Sequence, residues 1–385
     1  MIVLKIIIAI ILLIIIWSIL LNSALASLPI IPTVGVYVNP YITTTRTNGY
    51  KLLSISGGGI KGLGAIIFLE RMYHNELQSG DFFSIFDGFC GTSTGAIICA
   101  ALCGRHIVLQ NMLDAGLQRH LKQAAEKYNV YNLYEELLNG VLSNYSKLIL
   151  VVLKYMYVDY IDIFIHRPLW YHILSLGGMI APTYYDSKRR DYLHKIFRFR
   201  FQDLHQDLHI ITQDVKNFNI VNFTNYYRGE KPNIGDNTWV SFAVLASSSA
   251  PTYYPCFEGY IDGGIAYYNP VEYVLQQMYY NGITPRVLSI VLETKIDIHI
   301  NKNAGGIEWI KPLSRLIMRN TIHKAEEFGE MYEGVFGERI VVVNPLANSE
   351  HIDMFANDKT DYIINQANSL VFTAEEESII RSFAL

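Results

Sequence analysis

The stretch GFCGTSTGAIICAALCG, residues 88–104, constrains the fold more than any other part of this 385-residue chain. At its centre, Gly91-Thr92-Ser93-Thr94-Gly95 forms a G-x-S-x-G pentapeptide. An apolar run, FDGFCG (86–91), precedes it, and a small-residue helical run through Ala96 and Ala100 follows. A serine so placed fits a sharp strand-to-helix turn, whose flanks must lack side chains to clear the neighbouring strand and helix. The helix N-terminus would also favour negative charge developing on the hydroxyl. The alternative is that the small residues only allow close helix packing.

The neighbouring segments repeat the strand–turn–helix grammar. KLLSIS (51–56) reads as a buried strand running into glycines, and residues 62–78 carry apolar positions at helical spacing. Residues 105–175 read as helical. Within them, 148–165 resembles a membrane span but contains Lys154, Asp159 and Asp162, each costing about 3 kcal/mol at a bilayer centre, so a core or interfacial helix is expected. DLHIITQDV, NIVNFTNYY, RVLSIVLE (286–293) and ERIVVVNPL (338–346) add strand-like runs, with a helix leading to ASSSAP (246–251) between them. The order predicts one α/β sandwich with a parallel sheet.

Apolar residues make up 51% of the chain and charged residues 17%, which points toward a membrane connection. A net charge of −4 without a basic tract gives no sign of nucleic-acid binding. The four cysteines, 90, 99, 103 and 256, sit in apolar or small-residue segments and are expected as buried free thiols. After Lys5, an Ile/Leu-rich run interrupted only at Ser18 predicts an N-terminal hydrophobic helix over residues 1–27, retained as a single-pass membrane anchor. Cleavage after Ala24-Leu25-Ala26 as a signal peptide, giving a secreted protein, is the alternative. Residues 28–47 read as a proline-containing linker, and 48–385 as the folded domain.

Two further stretches could carry chemistry. In SGGGIKG (56–62), Gly57, Gly59 and Gly62 match the dinucleotide pattern G-x-G-x-x-G. The same exposed N–H groups at a helix start would hold any anion, including the oxyanion of a tetrahedral intermediate. In Tyr260-Ile261-Asp262-Gly263-Gly264, a carboxylate ends a strand-like segment and could take the Ser93 proton if burial raised its pKa from about 3.9. A turn-forming Asp-Gly explains that stretch equally well in isolation. Histidines such as His166, His194 and His205 lie in unremarkable contexts.

In this order, SGGGIKG, GTSTG and IDGGIAYYNPV (261–271) resemble the patatin-like phospholipase family. Residues 182–197 and ASSSAPTYYP (246–255) add to the likeness, which covers about residues 50–295. The resemblance implies a three-layer α/β/α sandwich with a mainly parallel central sheet. It implies Ser93 as nucleophile and Asp262 as proton acceptor, with Gly91, Gly95, Gly263 and Gly264 as motif glycines. The oxyanion hole falls on the loop Gly57, Gly58, Gly59, Ile60, Lys61 and Gly62, where each donor is worth about 2.7–4 kcal/mol in the transition state. The implied activity is phospholipase A-type hydrolysis of glycerolipid esters through an acyl-serine, on a membrane or lipid-aggregate substrate, without cofactor or metal. Lys61 stands where the family often has arginine, Ser56 where aspartate is frequent, and Tyr268 where asparagine is common.

Three other readings compete. A non-catalytic lipid-binding protein would share the fold. A Rossmann-type nucleotide binder would use the glycine loop with Asp81 or Asp87 as the ribose acid. A Ser-Asp-His hydrolase would take His299, His323 or His351 as base. Oligomeric state is left open by the sequence.

Overall fold

The computed structural model describes residues 49–159, 181–226, 237–295, 340–353 and 356–384, with Tyr171 and Met331 between them. The expected anchor (1–27), the linker (28–47), residues 160–165 of the ambiguous apolar helix, and His166, His299 and His323 lie outside the described residues.

The centre is a seven-stranded sheet. Its first strands are β1 (Lys51–Ile55), β2 (Gly88–Thr92), β3 (Asp207–Asp214) and β4 (Ile220–Thr224). β5 (Tyr260–Asp262), β6 (Arg286–Ile290) and β7 (Ile340–Val343) complete it. The order is β4-β3-β2-β1-β6-β7. The four inner pairings, β1/β2, β1/β6, β2/β3 and β6/β7, are parallel, as a sheet covered by crossover helices requires. β4 and β5 depart from the parallel expectation, since both run antiparallel to β3.

Successive strand residues face opposite sides, so Leu53, Ile55, Phe89, Ile210 and Leu288 serve one core and Leu52, Cys90, Ile211 and Val287 the other. α10 (Val271–Tyr280) covers the second face with Val271, Val274, Leu275 and Met278. The first face carries α1 (Gly62–Met72), α3 (Thr94–Cys103) and, stacked on them, α7 (Tyr145–Val158). Three layers result, α/β/α. The helical pattern expected over 62–78 breaks at Tyr73, where α2 (His74–Ser79) begins.

α4 (Arg105–Asp114), α5 (Gln118–Lys127) and α6 (Tyr131–Leu138) fill the connection from α3 to α7. α8 (Ser187–Ile196) and α9 (Val240–Ser247) flank the β3–β4 hairpin in sequence. α11 (Thr360–Ser369) and α12 (Ala374–Arg381) close the chain, with α11 against α1.

α7 shows why its charges are tolerated. Leu148 through Leu153 are buried, whereas Lys154 reaches out to Glu70 at 2.6 Å and Asp159 to Lys127 at 2.6 Å. Among the described residues no single helix is long and apolar enough to cross a membrane, and α3 with α4 passes only as a pair bent by 93°. Cys90, Cys99 and Cys103 are buried free thiols, but Cys256 is exposed, contrary to expectation, because it follows Pro255 in the loop before β5.

Candidate active site

The register of β3 brings the site together. Thr92, the last residue of β2, pairs with Ile211, and Asp262 pairs with Thr212, the next residue along. β4 occupies the other edge of β3, so β5 takes the edge that β2 leaves free beyond Ile211. Ser93 leaves β2 at the point where Asp262 ends β5. Residues about 170 positions apart in sequence thereby become neighbours through two adjacent residues of one strand.

The turn at Ser93 has φ 57° and ψ −121°, a conformation that costs a non-glycine residue about 1–3 kcal/mol and persists only where the surroundings impose it. Two glycines make it possible. A Cβ on Gly91 would lie 2.3 Å from the Gly95 carbonyl oxygen, and one on Gly95 would lie 2.0 Å from that of Ile55. The Ser93 N–H donates to Ser247 Oγ at 2.9 Å, and Ser247 donates onward to the Ile211 carbonyl at 2.6 Å, fixing the elbow to α9 and β3. α3 starts at Thr94 directly behind the serine.

Asp262 is 4% exposed, with the Ser93 side chain near enough to favour its ionised form. Burial raises its pKa to about 6, against the Ser93 side chain, the Gly264 N–H and the charge of Arg189, which all favour the carboxylate. Gly264 donates to Asp262 Oδ1 at 2.7 Å, and a Cβ on Gly263 would meet the Ile211 carbonyl oxygen at 2.2 Å. The two glycines therefore serve the aspartate directly, one as donor and one by admitting the backbone to β3.

The glycine loop faces this pair: a Cβ on Gly57 would stand 3.4 Å from the Ser93 Cβ. Gly58 (φ 149°) and Gly59 (φ 61°) occupy backbone conformations that favour glycine. Not all six loop N–H groups are available to an anion. That of Gly57 donates to the Tyr268 carbonyl at 2.9 Å, that of Lys61 to the Gly58 carbonyl at 3.3 Å, and that of Gly62 back to Gly59 and Ile60. Gly62 is needed for packing instead, since a Cβ there would sit 2.6 Å from Thr94 Oγ1. The oxyanion-hole expectation therefore narrows to Gly58, Gly59 and Ile60. The Tyr268 carbonyl is set by buried Asn269, which bonds Ser289 Oγ at 3.2 Å and the Val271 N–H at 3.3 Å. The Tyr268 hydroxyl donates to the Leu292 carbonyl at 3.0 Å, and Lys61 Nζ lies 5.9 Å from the centre of its ring.

The acids a nucleotide-binding site would use stand elsewhere. Asp87 accepts the Lys51 N–H at 2.8 Å at the start of the strands, the end opposite the glycine loop. Asp81 is clamped by Arg105 at 2.6 Å and by Ser146 at 2.6 Å; burial would raise its pKa, but bonds from His106 and Arg105 hold it well below the usual carboxylate range. Among the described histidines, His194 bonds Ser241 Oγ, and His205 and His351 are exposed. His209 is fully buried on β3, but it belongs to the face opposite Asp262, because Asp262 shares its face with Thr212 and Ile210. Among the described residues no three His, Cys, Asp or Glu side chains converge in a way that could hold a metal ion.

Sequence reasoning did not single out Arg189, Asp186, Ser247 or Ser249, which surround the pair from behind. The run of three serines in ASSSAP, small residues with no obvious solvent role, was the available signal.

A family model for patatin-like phospholipase matches residues 53–275. The human calcium-independent phospholipase A2-gamma (Homo sapiens) is 36% identical over 69 residues, 18% of this chain and 9% of that protein, so the match spans under a tenth of the relative's length. Among solved structures, VipD from Legionella pneumophila aligns with 12% identity and a TM-score of 0.32, covering 83% of this chain and 67% of that one. The family model takes in more than half of the chain and contains the glycine loop, the serine elbow and the Asp262 strand, and the chain accordingly belongs to the patatin-like phospholipase family.

Proposed function

We propose that the protein is a lipid acyl hydrolase of phospholipase A type, with Ser93 as nucleophile and Asp262 as its base. The observation that carries this reading is a hydroxyl on a strained elbow, brought by the register of β3 beside a buried carboxylate whose pKa is raised to about 6. A base is most effective when its pKa lies near the working pH, and burial brings Asp262 toward it while leaving it ionised at pH 7. Asp262 takes the Ser93 proton as Oγ attacks the ester carbonyl carbon. The oxyanion that forms is held by the N–H groups of Gly58 and Gly59, which stand at the start of the short helix Gly59–Lys61. Collapse breaks the bond to the lipid alcohol, which leaves with the proton from Asp262, and an acyl-serine remains. Water, deprotonated by the same carboxylate, then releases the fatty acid.

The substrate class follows from family membership: an acyl ester of a phospholipid or other glycerolipid in a membrane or lipid aggregate. Residues 1–27, rich in Ile and Leu, would tether the enzyme to such a surface. A panel of vesicles of single phospholipid and neutral glycerolipid classes, assayed for fatty-acid release with wild type and Ser93→Ala, tests the reading. Release from at least one class by wild type, lost by at least about a thousandfold in Ser93→Ala, is expected. Equal release by both proteins would remove Ser93 from the chemistry.

A further inference from the structure

A buried ion pair stands behind Asp262. Asp186, next to the start of α8, and Arg189, in its first turn, are 3% exposed at their side chains and 2.8 Å apart; Arg190 also reaches Asp186. Taking two charges out of water is expensive, and an ion pair of this kind is seldom a net gain in stability over well-packed apolar side chains. What distinguishes this pair is where the remaining donors of Arg189 go. One nitrogen donates to the Ser248 carbonyl at 2.8 Å and to Ser248 Oγ at 2.7 Å, and another to Ser249 Oγ at 3.2 Å. The guanidinium is also stacked over Tyr254, 4.1 Å from the ring centre.

Ser247, Ser248 and Ser249 form a clamp on both reacting groups. Ser247 Oγ accepts the Ser93 N–H at 2.9 Å, and the Ser249 carbonyl accepts the Asp262 N–H at 3.0 Å. The serine elbow and the aspartate strand thus hang from the same three residues, at the C-terminal end of α9. A cation at that end also suits the exposed carbonyls of the helix.

We propose that Arg189 is a positioning residue for the Ser93–Asp262 pair: oriented by Asp186, it locks the serine clamp that sets the two groups against each other and keeps a positive charge behind the carboxylate. The inference rests on Asp262 being the base. The groups that face Asp262 are the Ser93 hydroxyl, the Gly264 N–H, Arg189 and the Tyr268 ring, while Asp186, Arg190 and Tyr254 face Arg189. The positive charge of Arg189 acts on Asp262 and favours the ionised form.

Two variants test the two parts. Arg189→Lys keeps the charge but loses the planar fork that reaches both serines. Its kcat is expected to fall about tenfold with KM unchanged and the acid limb of the pH profile in place. Arg189→Gln combined with Asp186→Asn removes both charges of the buried pair and leaves Arg190, whose side chain is 19% exposed, without that carboxylate. Its acid limb is expected to move up by about half to one pH unit, so that the ratio of the rate at pH 6 to that at pH 8 falls roughly two- to fivefold. With the folded fraction checked by circular dichroism to be equal at the two pH values, that ratio does not depend on how much protein folds, and a purely structural role would leave it unchanged. Full kcat in Arg189→Lys, or an unmoved limb in the double variant, would overturn the proposal. Hydrolysis surviving in Ser93→Ala would instead overturn the reading on which it rests.

Discussion

Two adjacent parallel strands, β1 and β2, each end in a glycine-containing turn that feeds a helix, and the turns do opposite things. After β2, Gly91 and Gly95 sit where a Cβ would run into backbone, 2.3 Å and 2.0 Å away, and the result is a half-buried side chain, Ser93, on a strained φ of 57°. After β1, Gly58 and Gly59 hold left-handed or related conformations in a buried loop beside Ser93. Around Gly58 the atoms nearest to a Cβ would belong to side chains, Tyr268 OH at 3.1 Å, Leu292 Cβ at 3.2 Å and Lys61 Cε at 3.3 Å. In the proposed reaction one turn presents the nucleophile and the other the donors. Glycine is required in the first by lack of space and in the second by dihedral angle.

The comparison predicts different failures. Gly95→Ala forces a methyl into the Ile55 carbonyl and is expected to cost about 4 kcal/mol or more, seen as loss of cooperative unfolding in a thermal melt. A folded, active Gly95→Ala protein would break the distinction. Gly58→Ala is expected to keep the fold, at a cost of about 1–3 kcal/mol for the dihedral, while lowering kcat about a hundredfold as the N–H donors shift. Comparing its melt with its kcat sharpens the assignment of that loop to the oxyanion.

A smaller effect concerns Asp262. Its folded pKa, raised by burial to about 6, exceeds the unfolded value of about 3.9, so the folded state binds the proton more tightly. The stability this confers is fully present below pH 4 and is lost as pH rises through 6. Asp262→Asn, which keeps an acceptor for the Gly264 N–H, is therefore expected to match wild type near pH 4 and to exceed it by about 2 kcal/mol at pH 8. Chemical denaturation of both proteins at the two pH values checks the sign. A variant less stable than wild type at pH 8 would show that the carboxylate is structural there.

Most of the frame was legible in the sequence, because buried strands betray themselves as short apolar runs: KLLSIS, RVLSIVLE and ERIVVVNPL all contain strands, though the last two end three residues before their expected bounds. The serine, the aspartate and the loop could each be found because each breaks the local pattern with small residues. The antiparallel placement of β5 was not legible. A three-residue strand has no periodicity of its own, and its direction is fixed by the slot that β2 leaves beside β3. The commitment of the Gly57 N–H to Tyr268 was hidden for a related reason, since it depends on Asn269 tying a distant segment to β6. Arg189 escaped notice because SKRRDYLHKI reads as an exposed basic helix; only the packed structure shows that one of its cations turns inward.

The most direct test of the central claim is the pH dependence of fluorophosphonate labelling at Ser93 in wild type and Asp262→Asn. If Asp262 draws the proton from Ser93, wild-type labelling rises with pH along a single ionisation near 6, and Asp262→Asn labels at least a hundredfold more slowly with no such step. Labelling of Asp262→Asn at the wild-type rate, or a wild-type rate that is flat through pH 6, would contradict the account.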